Sequence, residues 1–294
     1  MDRLTALRLF LRVAETGSFS RAAAEAGVGQ SVASRAVATL ESELGGRLMN
    51  RTTRSLALTE AGRKVVDHAR AMVAEAEAME AAVRGAEREP AGLLRVSASV
   101  AFTRAELAPQ AGAFLSAFPR MRLDLMARDD RIDLIAEGVD VALRLGELED
   151  SRLTALWLGN YPRMVVAAPG FEQAHGTVTS PSDLAARPAI SLTSSAFATR
   201  WPLANGRARV EVEINPAIRT ANGDVLADLA RAGLGAVLAP GFLVKADLEA
   251  GRLVRLLPDW SAPPLGLWAV WHGRSLPRKA RVFLDFIAGR LVVD

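Results

Sequence analysis

The sequence predicts an N-terminal winged helix-turn-helix, mainly α, with a long linker helix, joined to a two-lobed α/β domain. Three observations carry this. Residues 18–54, SFSRAAAEAGVGQSVASRAVATLESELGGRLMNRTTR, read as two short helices around a glycine turn, followed by an arginine-bearing hairpin. Residues 59–89 lack proline and keep a heptad-like apolar repeat. Beyond the break at Pro90-Ala91-Gly92, short apolar runs alternate with helical segments, the pattern of an α/β domain with a largely parallel sheet. The implied boundaries are 1–58, 59–89 and 90–294.

Residues 2–16 form the opening helix. Leu4, Leu7, Leu11 and Ala14 recur at three- and four-residue steps, and Phe10 and Val13 widen the apolar face. It should end near Gly17, with Ser18 capping the next helix, 20–26. Gly27 supplies the positive φ that a helix end asks for. The second helix, 30–44, buries Val32, Ala36, Val37, Leu40 and Leu44 on one face. The opposite face shows Gln30, Ser31, Ser34 and Arg35, residue types that reach base edges and phosphates from a recognition helix. Arg47, Arg51, Thr53 and Arg54 lie along two short extended runs, suited to a wing laid on a phosphate backbone. The double-stranded DNA partner is read from that coincidence, against the blander reading of a solvated helical hairpin.

Thr59 is a plausible N-cap for the long helix, with Glu60 in its first turn. Val65, Ala69, Met72, Ala76, Met79 and Val83 step by 4, 3, 4, 3 and 4, an a/d repeat about three heptads long. Such a helix would span roughly 45 Å. The stripe could pack onto its own domain. A homodimer through the linker helix is preferred, because DNA-binding helices work as symmetric pairs on half-sites.

After the linker come LLRVSAS, a helix over 104–118, RLDLMA, a short helix over 132–137 and VDVALRLG. A second set follows: RMVVAAP, a helix over 182–186, PAISLT, ARVEVEI, AIRT, a helix over 224–232 and GAVLAP. PLGLWAVWH reads as a strand and 277–291 as a closing helix with Val282, Phe283, Phe286, Ile287 and Leu291 on one face.

Composition narrows the function. The chain has no cysteine, which excludes disulfides, thiol catalysis and cysteine-held metals. His68, His175 and His272 are far apart without metal-ligand spacing, so neither metal nor other cofactor is expected. No nucleophile elbow, P-loop or dinucleotide fingerprint appears, so no enzyme is expected. Arg3, Arg8 and Arg12 interrupt the early apolar segment, and no run reaches membrane-span length. A cytoplasmic protein without a membrane partner is the expectation. Net charge is +3, but residues 1–64 hold 10 basic and 6 acidic side chains, so the basic excess sits where phosphates would be met.

The stretch around the helix-turn-helix resembles the LysR-type transcriptional regulators. LRLFLRVAETGSFSRAA before it and LALTEAG after it match that pattern, as do Gln30, Ser34, Arg35, Arg51 and Arg54. Two positions depart: Gly29 stands where the family has Ser, and Met49 where it has Phe. The resemblance implies a periplasmic-binding-protein-like effector domain, with lobe I over 92–162 plus 266–294 and lobe II over 163–265. It also implies a small-molecule effector, tetramers built as dimers of dimers, and imperfect inverted repeats near a divergently transcribed gene. The alternative is a cytoplasmic small-solute-binding protein whose N-terminal helices serve assembly.

In open α/β sheets, ligands sit beyond the C-terminal ends of strands, at helix N-termini. That rule selects Ser97, Ser99 and Thr103 after the first strand, and Thr193, Ser194 and Ser195 after PAISL. It also selects Thr220, Asn222 and Asp224 before the 224–232 helix. Arg144 could add charge and Trp201 could wall the cleft. A carboxylate or another polar acceptor suits these hydroxyls. Ser99, Thr103 and Asp224 equally fit plain N-caps, Asn222-Gly223 a turn, Arg144 a structural ion pair, and Trp201 packing. The family places its effector near Ser99, Thr193 and Asn222.

Overall fold

The computed structural model describes residues 2–51, 56–84, 90–130, 132–148, 153–273 and 275–291. Helix α1 (Arg3–Thr16) is capped by the Asp2 carboxylate, which accepts from the Thr5 N–H, and ends at Gly17 with φ 60°. Helix α2 (Phe19–Glu25) is capped by Ser18, and α3 (Gln30–Leu44) starts after Gly29, which offers no side-chain cap. Gly27 has φ 69°, the turn geometry its lack of Cβ permits. Leu7, Phe10, Val13, Ala22, Val37, Leu40, Leu48 and Met49 close one core. Met49 thus fills the aromatic position as a buried thioether.

The buried face of α3 differs from the expected one. Ala33, Ala36, Val37 and Leu40 are buried, whereas Val32 is 36% and Leu44 41% exposed. The helix is rotated so that Ala33, not Val32 or Leu44, joins Ala36, Val37 and Leu40 on the face that meets α1 and α2. Small side chains permit that close approach, with Ala6, Leu9 and Ala23 across from Ala33 and Ala36.

The wing is the antiparallel pair β1 (Met49–Arg51) and β2 (Leu56–Leu58). The long helix α4 (Glu60–Arg84) follows. Thr59 caps it by accepting from the Gly62 N–H at 2.9 Å, and its hydroxyl donates to the Arg47 carbonyl at 2.7 Å. Thr59→Ala should therefore cost about 1 kcal/mol. A urea midpoint change too small to measure would contradict that capping role. Val66 and Ala69 are buried and Val65 and Val73 pack beside them, so the first turns of the heptad stripe serve the head's own core. Met72 at 50% and Met79 at 65% exposure remain uncovered. The Val83 side chain and residues 85–89 lie outside the described residues.

The α/β part is built on one mixed seven-stranded sheet. Its strands are β3 (Gly92–Ala98), β4 (Met121–Ala127), β5 (Val141–Leu145), β6 (Leu153–Ala167), β11 (Val237–Pro240), β12 (Val254–Leu256) and β13 (Ala262–His272). The order is β11-β6-β13-β5-β3-β4, with β12 also on β6. Only β3 with β4 and β3 with β5 are parallel; every other pairing in it is antiparallel. The expected largely parallel sheet is corrected here. The cause is β6 and β13, two long strands paired from Leu153↔His272 to Arg163↔Ala262, which run through both lobes. The lobe boundary read at 162/163 therefore falls inside a continuous strand.

Lobe I packs α5 (Val100–Phe102), a π-helical turn (Thr103–Leu107) and α6 (Ala108–Ala117) as one helical run against the sheet, with α10 (Arg278–Ala288) beside it. The helix expected over 104–118 thus begins four residues earlier. The helix expected over 132–137 is a turn instead. Asp133 bonds the N–H groups of Ile135 and Ala136 at 2.9 and 3.2 Å, local bonds that compete with a helix. Lobe II adds α7 (Phe171–His175), a 3₁₀ turn (Pro181–Ala186), the parallel pair β7 (Ala189–Leu192) and β10 (Pro216–Thr220), and the hairpin β8 (Arg200–Asn205) with β9 (Ala208–Glu213). Helices α8 (Gly223–Arg231) and α9 (Gly241–Glu249) complete it.

Candidate DNA-binding surface and effector cleft

The DNA-facing candidate is the outer face of α3. Ala22 and Ala23 of α2 and Ala33 and Ala36 of α3 are buried, which fixes the angle between the two helices. Gln30, Ser31 and Arg35 are exposed, and Ser34 is half-buried. Val32, wrongly assigned to the core, lies exposed between them and offers a methyl-sized apolar contact. The wing is tied to α3 by Glu41, a residue the sequence reading missed. Its carboxylate accepts from the backbone N–H groups of Leu48 and Met49 at 2.8 and 3.0 Å. Of the two glutamates before Gly45-Gly46, nothing in the sequence marks Glu41 for such a role. Of the wing candidates, Thr53 and Arg54 lie outside the described residues, as does the Arg51 side chain; the Arg51 backbone pairs with Leu56.

The second candidate site lies where the lobes meet. The parallel pairing of β7 and β10 brings the Thr193 and Asn222 regions together. The Thr193 N–H donates to the Thr220 carbonyl at 2.8 Å, and the Asn222 N–H to the Thr220 hydroxyl at 3.1 Å. Asn222 caps α8 by accepting from the Val225 N–H at 3.0 Å, while its amide donates to the Asp129 carboxylate at 2.6 Å. Asp129 follows β4 in lobe I and also accepts from the Val100 N–H at 3.1 Å. It is the main residue that sequence reading missed, because nothing local marks a carboxylate after RLDLMA as a link between lobes. Arg104 of lobe I adds a second link, donating to Asp224 of α8 at 2.5 and 2.8 Å. The lobes touch closely here: a Cβ on Gly223 would lie 3.0 Å from the Ala101 methyl.

Ser99 caps α5 by accepting from the Phe102 N–H at 3.4 Å. Ser97 and Thr103 are buried, and neither hydroxyl has a hydrogen-bond partner among the described residues. Buried hydroxyls left unpaired are costly and are candidates for ligand contact. Behind them Phe102, Tyr161 and Phe242 form an edge-on aromatic triangle with centroids 5.0–5.9 Å apart. The Tyr161 hydroxyl lies beside Glu106 without a hydrogen bond of good geometry. Burial and then the Glu106 charge push it far above the usual phenol range. Burial also raises Glu106, against the opposing Tyr161 hydroxyl and Lys245.

Thr193 and Ser194 are exposed at the end of β7, and Arg144 is half-buried on β5 in register with Trp268. Trp201 does not wall the cleft. It is 1% exposed on β8, in the lobe II core with Leu184, Leu203 and Val212. Among the described residues, no group of three or more His, Asp or Glu could hold a metal ion, and no helix is long and apolar enough to cross a membrane.

Comparison with known proteins gives the family of both regions of the chain. Residues 4–63 match the family described as bacterial regulatory helix-turn-helix protein, lysR family, and residues 87–292 match the LysR substrate binding domain. The chain is similar to the HTH-type transcriptional regulator CrgA of Neisseria meningitidis, 34% identical over 287 residues that cover 97% of this chain and 96% of that one. It is also similar to PtxR of Pseudomonas aeruginosa, 32% identical over 297 residues covering 99% and 95%. The solved structure of CrgA superposes with a TM-score of 0.62 over 98% of each chain.

Proposed function

We propose, since this chain belongs to the LysR-type family of transcriptional regulators, that it reads operator DNA with Gln30, Ser31, Ser34 and Arg35. It is a helix-turn-helix DNA-binding regulator with an effector-binding α/β domain. The observation that carries the base-reading assignment is the exposed polar face of α3, held at a fixed angle by buried alanines. Arg51, Thr53 and Arg54 hold the flanking phosphates. The exposed Met72 and Met79, with Ala76 half-buried between them, support a homodimer through α4, and pairs of dimers make the tetramer. The regulator works in the cytoplasm, where its DNA is.

The effector binds between the lobes, against Ser97, Ser99, Thr103, Thr193, Ser194 and Asn222, with Arg144 supplying charge. A carboxylate fits best, because the Val100 N–H and the Asn222 amide already donate to one, that of Asp129. Trp201 has no part in the contact.

The test is fluorescence anisotropy with DNA from upstream of the protein's own gene and a scrambled duplex. Arg35→Ala or Gln30→Ala should weaken cognate binding by about 1–3 kcal/mol, roughly 5- to 150-fold, and the scrambled duplex far less. Arg51→Ala should weaken both and lower the salt slope by about one unit. Equal losses on both duplexes for Gln30→Ala would refute base reading by that residue.

A further inference from the structure

The head and lobe I of the same chain meet at one carboxylate. Glu15, near the end of α1, has a side chain only 14% exposed. Three guanidinium groups from three elements reach it: Arg12 of α1 at 2.7 Å, Arg70 of α4 at 3.4 Å and Arg95 of β3 at 3.1 Å. Arg70 also donates to the Ile135 carbonyl of the lobe I turn, and the Ile135 side chain packs into the head's core. Gly138 closes that turn with φ 69°, and a Cβ there would lie 3.0 Å from the Arg95 guanidinium and 3.3 Å from Glu15. Lobe I is thus shaped and charged to receive α1. The recognition face of α3 is not part of the contact.

Arg95 is held in turn. Its guanidinium also donates to Asp124 at 3.3 Å, its backbone N–H donates to Asp140 at 2.9 Å, and Asp140 is paired with Lys279 of α10 at 2.7 Å. Two residues along the same strand stands Ser97, whose buried hydroxyl faces the same side of β3 as Arg95. We infer that the turn at 133–138 and Arg95 form a docking surface for the DNA-binding head of the same chain. Glu15 is the clamp that makes the head move with β3, the strand that bears the effector-cleft hydroxyl. The inference rests on the regulator reading only for its purpose, since the docking itself is tested without DNA or effector. A cleft of about 320 Å³ lies at this junction, lined by Ala14, Leu58, Val66, Arg70 and Ile135 among others.

The chain has no cysteine, so two can be introduced and spin-labelled without background. Ala24 of α2 and Asp285 of α10 are exposed and outside the contact. The full-length Ala24→Cys, Asp285→Cys chain, diluted into excess unlabelled chain, should give one narrow distance distribution by pulsed electron resonance. Glu15→Gln and Arg95→Gln should each broaden it and add a second population, with non-specific DNA affinity at low salt kept within about twofold. Arg95→Lys should restore most of the narrow component. Two variants on opposite sides of the contact guard against one that merely unfolds, which a circular dichroism melt detects. Unchanged distributions in both Gln variants would overturn the clamp. So would loss of the narrow distance on dilution, which would place the docking between copies. Failure to bind upstream DNA would count against the regulator reading alone and leave these distances unaffected.

Discussion

Trp201→Ala should destabilise lobe II by about 3–5 kcal/mol, the range for emptying the site of a buried large aromatic. Trp201 is 1% exposed and sits on β8 opposite Val212 of β9. Phe171, Leu184, Leu203 and Ile214 belong to the same cluster. The β8–β9 hairpin joins the rest of lobe II partly through paired backbone bonds between Ala204 and Ser261. Its main hold is therefore side-chain packing, and removing the indole takes away the largest piece. Urea unfolding followed by circular dichroism measures the loss. The winged head has its own core, so DNA binding by the variant should survive at low temperature. A variant of unchanged stability with weakened effector binding would instead return Trp201 to the cleft wall.

That contrast shows what the sequence could and could not tell. Local signals were legible because local physics sets them. Ser18, Gly27 and Thr59 stand at helix ends for reasons of capping and φ, and the structure places helix boundaries beside each. Periodicity found α1, α3 and α10, but could not orient α3, where five alanine and valine positions (Val32, Ala33, Ala36, Val37 and Ala38) compete for one face. The sheet was misread because β6 and β13 are apolar runs like any other. Only their length in space, 15 and 11 residues, reveals that they span both lobes. The lobe contacts were illegible for a different reason. Asp129 and Asn222 are 93 residues apart, and Glu15 and Arg95 are 80 apart. Each is an ordinary polar residue whose partner is chosen by the fold. The serines and Asn222 proposed for the cleft were selected because strand ends followed by helices gather there.

Asp247→Ala should cost lobe II about 3 kcal/mol, the low end for breaking a buried ion pair. The Asp247 side chain on α9 is 6% exposed, and Arg231 of α8 and Arg252 reach it at 2.5 and 2.6 Å. Removing the carboxylate leaves two guanidinium groups without it, but they are 30% and 55% exposed and can turn to water, which keeps the cost at that low end. Burial by itself would raise the Asp247 carboxyl; the bonds from Arg252 and Arg231 outweigh it and hold it below the ordinary value of 3.8. A carboxyl depressed in the folded state stabilises the fold above its unfolded value. That contribution is lost as pH falls from about 4 through the lower folded value, because the unfolded chain then binds the extra proton. Asp247→Asn keeps the shape and removes the charge. Its stability should therefore fall less steeply than the parent's below about pH 4, and the two curves should differ most near neutral pH. The consequence reaches the cleft, because Arg231 ends the helix that Asn222 begins. Loosening that end should raise hydrogen exchange along α8 and weaken the Asn222 link to Asp129. Parallel stability curves for parent and Asp247→Asn would show that the arginines hold this carboxylate without stabilising the fold.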